Sequence, residues 1–227
     1  MDNPLPGARI NTTFLSALFI PVLLLPVMAG IFALSARWLS AQAGYLLGFG
    51  FYWLFWCLLL PRWLLGKAEF AAILRDRAPL FSHSNRLAAL LWLTVTLVSV
   101  WMYAGEFLRA PLTLILLAVP LATINGFCEE ILRRGLCVRR FPQNPWMAIL
   151  YPSLGFALWH LAPQVIFPAE NVIGFVLSTF FLALPYGYIA YRTGSAKWTA
   201  ISHSLSGILA LSGYLAPGVL ALFGGYQ

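Results

Sequence analysis

The sequence predicts an all-α fold: a polytopic transmembrane helical bundle of about seven spans, eight if the tail counts, with one amphipathic linker helix. Three observations carry this prediction. Of the 227 residues, 61% are hydrophobic and only 9% are charged, whereas soluble domains carry about 25% charged residues. The mean hydropathy is +0.82. The apolar runs approach the ~20 residues a helix needs to cross ~30 Å of hydrocarbon, and the short alternating strands of a barrel are absent. A single domain over residues 1–227 fits the length.

The elements follow in order. The apolar run from Phe14 to about Leu39 is too long, and the charge before it too weak, for a signal peptide, so it is expected as a retained first helix. A second span runs from about Ala43 to Leu60. The linker from Gly66 to Arg86 is the most polar part of the chain, and Phe70, Ile73 and Leu74 among its charges predict a short helix on the membrane surface. The third span covers about Leu87–Phe107, and Pro111 opens a fourth that runs to about Val138. Asn144 and Pro145 cap and start a fifth, to about Ile166. The sixth (Val172 to Tyr191) and seventh (Ala196 to Leu215) leave ten residues after Pro217, too few for another full span.

With the amino terminus taken as cytoplasmic, the inside segments hold ten Lys and Arg residues and the outside segments two, Arg37 and Arg109. This positive-inside bias predicts a multi-pass cell-membrane protein whose carboxy terminus lies outside if there are seven spans. The net charge of +7 is then explained by cytoplasmic loops near anionic lipid, so membrane lipids are expected partners and nucleic acid is not. Cys57, Cys128 and Cys137 lack C-x-x-C spacing and read as small core residues.

Inside the fourth span stand Glu129, Glu130, Arg133 and Arg134. An ionisable side chain at bilayer depth costs roughly 2.5 kcal/mol or more, so it faces protein or a wet cavity and pairs with something. Glu130 shares a helix face with Arg134, and Glu129 with Arg133, while the two glutamates diverge by ~100°. One carboxylate is free to be an ion-pair member while the other serves as a base. The plainer readings are a structural ion-pair network and, for the arginines, snorkelling to the nearby interface.

Two of the three histidines, His160 and His203, fall in later spans, whereas His83 lies in the polar linker and reads as a solvated loop residue. A lone buried histidine is usually a satisfied core residue; two on helices that follow the glutamates point to a site. Glu129 lies ~15 Å of helix from Arg139, and His203 ~9 Å from Lys197, both in the cytoplasmic half. His160 lies ~22 Å beyond Pro145, so the fifth helix must tilt or bend, with Pro152 one candidate, to bring it to the others. A carboxylate can take a proton from water while imidazoles hold that water or donate to an oxyanion. Glu129, His160 and His203 are also a zinc ligand set, although no H-E-x-x-H pair is present. A serine mechanism has less support, since Ser202 and Ser204 flank His203 without facing it.

The pattern E-E-x-x-x-R at Glu129, Glu130 and Arg134, F-x-x-x-H at Phe156 and His160, and Arg192-Thr193-Gly194-Ser195 followed by His203 resembles the CPBP family of intramembrane proteases. That family includes CAAX prenyl endopeptidases and bacteriocin-processing enzymes. The resemblance spans about Glu129 to Gly207; the amino-terminal half adds only hydrophobicity, and the expected catalytic core is about 111–215. It implies Glu129 as the water-activating residue, Glu130 paired with Arg134, and His160 and His203 as the motif histidines. The metal-free mechanism is preferred to zinc. The family commonly has asparagine where this chain has Gly207, so that amide is missing, supplied by Ser206, or replaced from another helix. It also commonly has eight spans.

The expected function is therefore an intramembrane endopeptidase acting near the cytoplasmic face. Its substrate would be a peptide or protein: a prenylated C-terminus by resemblance or, in a compact chain without an organelle signal, a bacteriocin leader or C-terminal sorting tail. A non-catalytic immunity or partner-binding scaffold is the alternative from another class. A proton-coupled transporter would need inverted repeats that the sequence lacks.

Overall fold

The computed structural model describes residues 12–210; the end of the seventh span and the eighth segment expected after Pro217 lie outside them. The described chain is helical throughout its regular structure. In order the helices are α1 (Thr12–Trp38), α2 (Ala41–Leu65), α3 (Lys67–Ala71), α4 (Arg86–Arg109), α5 (Leu112–Arg140), α6 (Trp146 to Trp159), α7 (Val172–Thr193) and α8 (Lys197–Leu209).

Among the described residues, five helices are long and apolar enough to cross a bilayer: α1, α2, α4, α5 and α7. Of the other two expected spans, α8 is described over Lys197–Leu209, with the rest of the expected run to Leu215 outside the described residues, and α6 is shorter than the sequence predicts. Helix α6 ends at Trp159 instead of Ile166. Pro163 explains the stop: proline offers no N–H and disfavours helix in the residue before it. The chain turns there through tight bonds, Leu161 N–H to Leu158 O at 3.0 Å and Ala162 N–H to Trp159 O at 2.9 Å, and then a 3₁₀ turn over Pro163–Val165.

Helix α5 occupies the centre and touches α2, α6, α7 and α8, while α1 and α2 form a hairpin on one side and α4 packs on α7 and α8 at the other. An aromatic cluster of Phe32, Tyr45, Phe49 and Tyr52 fills the space between α1 and α2 and closes over Trp159 at the end of α6.

The linker departs from its expected place on the membrane surface. Its α-helix covers only Lys67–Ala71, a 3₁₀ turn follows at His83–Asn85, and the segment between folds onto the end of the bundle. Ile73, read as lipid-facing, is 1% exposed because it packs where Gly135 has no side chain. Backbone and side chains fix this arrangement. Ala196 N–H donates to Ile73 O, and Arg77 N–H to Thr193 O, at 3.0 and 2.8 Å. Lys197 pairs with Asp76 at 2.6 Å, and Arg139 with Glu69 at 2.9 Å. Arg140 donates to Leu64 O, and Arg192 to Ser84 O. Among the inside cations, Arg77, Arg139, Arg140, Arg192 and Lys197 thus gather at one end of the described bundle.

Candidate active site

Three helices carry wider π-helical turns: Tyr52–Leu59 in α2, Ile131–Gly135 in α5 and Trp146–Leu150 in α6. Such turns occur frequently at functional sites. The one in α5 begins directly after Glu129 and Glu130. These carboxylates are 1% and 0% exposed, and Arg133 and Arg134 are as deeply buried, so neither arginine snorkels.

The two i,i+4 pairs differ. Glu130 Oε1 lies 3.1 Å from Arg134 Nη1. Arg134 also donates to Ala183 O at 3.4 Å and lies 4.7 Å over the Phe156 ring. No ion pair joins Glu129 to Arg133, whose guanidinium nitrogens find no hydrogen-bond acceptor among the described residues. Glu129 instead meets neutral donors. Trp159 Nε1 donates to its Oε1 at 2.9 Å, and Asn125 Nδ2 to its Oε2 at 3.2 Å.

Helix α8 reaches this pair because its backbone meets that of α5 closely. A Cβ at Gly126 would stand 2.5 Å from Ser204 Oγ and 2.7 Å from Ser204 N. Small residues permit such close crossings of membrane helices. His203, next to Ser204, therefore lies between the glutamates: Nδ1 is 3.0 Å from Glu130 Oε1 and Nε2 is 3.5 Å from Glu129 Oε2. Serving a carboxylate at each nitrogen takes two N–H groups.

His160 sits at the C-cap of α6. Its Nδ1 donates to Phe156 O at 2.8 Å, which leaves Nε2 as the acceptor in the neutral ring. Phe156 separates the two imidazoles, with its ring centroid 4.7 Å from that of His160 and 5.7 Å from that of His203. Glu129, Glu130, Arg134, Phe156 and His203 thus converge, and His160 stands across the Phe156 ring. Ser206 is directed elsewhere: its hydroxyl meets Ser99 Oγ on α4 and Ser202 O, each at 2.8 Å. The Arg192-Thr193-Gly194-Ser195 segment is a connector. Gly194 takes φ +66° to end α7, and Ser195 Oγ accepts from Lys197 N–H at 3.0 Å to start α8.

Sequence reasoning missed Trp159, Asn125 and Trp53. Asn125 was legible as the residue one turn before Glu129, on the same face. Trp159 adjoins a motif histidine. Trp53, whose Nε1 donates to Asn125 Oδ1 at 2.9 Å, has no local signal in the sequence.

Among the described residues no group of three or more His, Cys, Asp or Glu side chains is arranged to hold a metal ion, and Glu129 Oε1 is engaged by Trp159.

Residues 111–209 match the family model described as type II CAAX prenyl endopeptidase Rce1-like. This match, over less than half of the chain, supports the resemblance to the CPBP family of intramembrane proteases. It supports intramembrane endopeptidase activity in general, and with it a peptide or protein substrate and a membrane location. No curated protein and no solved structure matched the chain.

Proposed function

We propose that the protein hydrolyses a peptide bond near the cytoplasmic face with Glu129 as the general base. The observation that carries this reading is the pairing of two buried carboxylates with unlike partners: Glu130 with Arg134, and Glu129 with neutral donors and the His203 imidazole. Glu129 takes a proton from water as the oxygen attacks the scissile carbonyl. The carbonyl π electrons move to oxygen, His203 donates to the oxyanion, and the lone pair on His160 Nε2 accepts from the attacking water. Collapse of the intermediate breaks the C–N bond, and the proton held by Glu129 passes to the leaving amine. Glu130 and Arg134 hold His203 in place.

The cations gathered at one end of the bundle support the cytoplasmic assignment of that end. Prenylated C-termini, bacteriocin leaders and sorting tails are the substrate classes to test. The test is cleavage of lipidated and unlipidated peptides of these classes by purified protein in nanodiscs, read by product mass, with Glu129→Gln alongside and with and without a chelator. Cleavage that resists chelation and disappears in the variant supports the proposal. Loss with chelator alone moves the chemistry to a metal, and cleavage by the variant overturns the role of Glu129.

The non-catalytic scaffold draws on one observation. Gly207 packs against Ala122, with a Cβ there meeting that of Ala122 at 3.1 Å, so α8 brings no amide to the site. A scaffold retains partner binding in Glu129→Gln.

A further inference from the structure

Asn125 is half-buried on α5, one turn before Glu129, with each end of its amide engaged. An indole N–H is only a donor, so the atom facing Trp53 Nε1 at 2.9 Å must be the amide oxygen. The NH₂ then points the other way, at Glu129 Oε2, 3.2 Å distant. Rotating the amide by 180° would set donor against donor at Trp53 and acceptor against acceptor at Glu129. Its orientation is therefore fixed by chemistry.

Fixing the amide fixes the carboxylate. Oε1 receives Trp159 from α6 and Oε2 receives Asn125 from α5, so the plane of the Glu129 carboxylate is held from two helices. His203 Nε2, 3.5 Å from Oε2, approaches the same oxygen from α8. Trp53 stands in the π-helical turn of α2, outside the matched residues 111–209, so this control reaches the site from the amino-terminal half. Gly207, where a Cβ would meet that of Ala122 at 3.1 Å, supplies no amide from α8 at that position.

We propose that Asn125 is a positioning residue for Glu129 and that Trp53 is the lock on its orientation. The proposal rests on the reading of Glu129 as the base. Asn125 delivers from α5 the amide that holds the base, and Trp53 keeps that amide from turning over.

The test uses full-length protein in nanodiscs and a quenched-fluorescent farnesylated peptide, with Glu129→Gln as the reference. Asn125→Ala lowers kcat by roughly 10- to 100-fold with KM within about twofold of the parent, the size of loss that a misplaced reacting group causes. Asn125→Asp keeps the acceptor for Trp53 but turns an oxygen on Glu129, and loses at least as much. Trp53→Phe lowers kcat by about 3- to 10-fold alone and has no further effect in the Asn125→Ala background, because both act through one bond. Full kcat in Asn125→Ala or Asn125→Asp, a loss confined to KM, or additive losses overturns the proposal while leaving Glu129 as base if Glu129→Gln is inactive. An active Glu129→Gln overturns both. A readout independent of turnover is the ¹⁵N-indole resonance of Trp53. It shifts in Asn125→Ala if the lock exists, and an unmoved resonance overturns the proposal even where the peptide is not cleaved.

Discussion

Arg134 and Glu130 are both sealed from solvent and stand 3.1 Å apart. Removing one member of a buried pair leaves the other charge without compensation and typically costs about 3–5 kcal/mol. Arg134→Met is accordingly expected to lose about that much resistance to denaturant in detergent micelles, and the double variant Glu130→Gln with Arg134→Met to recover part of it. Equal losses in the single and double variants would show that the pair contributes little. Glu129 is different in kind. Trp159, Asn125 and His203 hold it without any guanidinium, so its replacement by glutamine changes chemistry more than stability. The i,i+4 rule made the Glu130–Arg134 contact legible in the sequence. The same rule allowed a Glu129–Arg133 pair, which did not form: the donors from α6 and from Asn125 occupy Glu129, and Arg133 in the widened turn finds no hydrogen-bond acceptor among the described residues.

At the scale of elements, the site depends on how closely α5 and α8 cross. A Cβ at Gly126 would meet the backbone of Ser204 at 2.7 Å, and backbone cannot move aside as a flexible side chain can. Gly126→Ala should therefore separate the helices, cost about 1–3 kcal/mol as overpacking does, and lower cleavage by drawing His203 from the glutamates. Gly50→Ala is the control, because its added methyl meets nothing within 4 Å. A thermal shift and cleavage assay on both variants checks this; equal behaviour would contradict the close-crossing argument. Helix positions were legible from apolar runs, but the length of α6 was not. A hydropathy reading extends α6 through Ile166, whereas Pro163 forces the turn that leaves His160 at a helix end beside Phe156. The linker carried an amphipathic spacing, yet Ile73 finds a protein surface at Gly135, a contact between distant segments that local pattern does not encode.

For the whole molecule, the sequence made the helical bundle and the clustering of cations readable because both follow from composition and loop charge. The contribution of the amino-terminal half was not readable. Tyr52 stacks on Trp159 with centroids 3.8 Å apart, and Trp53 bonds Asn125, so α2 shapes the site through tertiary contacts alone. The cationic end gives a topology prediction. The three cysteines Cys57, Cys128 and Cys137 are buried, so a cysteine at exposed His83 is a low-background label site. His83→Cys should react with an impermeant maleimide only when the cytoplasmic face is accessible, and reaction from the outer face would reverse the orientation. The proposed base, Glu129, is the residue to vary. Its most direct test is the steady-state kinetics of Glu129→Gln beside the parent on a peptide the parent cleaves, with folding matched by thermal shift. A fall in kcat of about 10³-fold or more at unchanged KM is predicted for a lost base; a variant that turns over at the parent rate would contradict the mechanism.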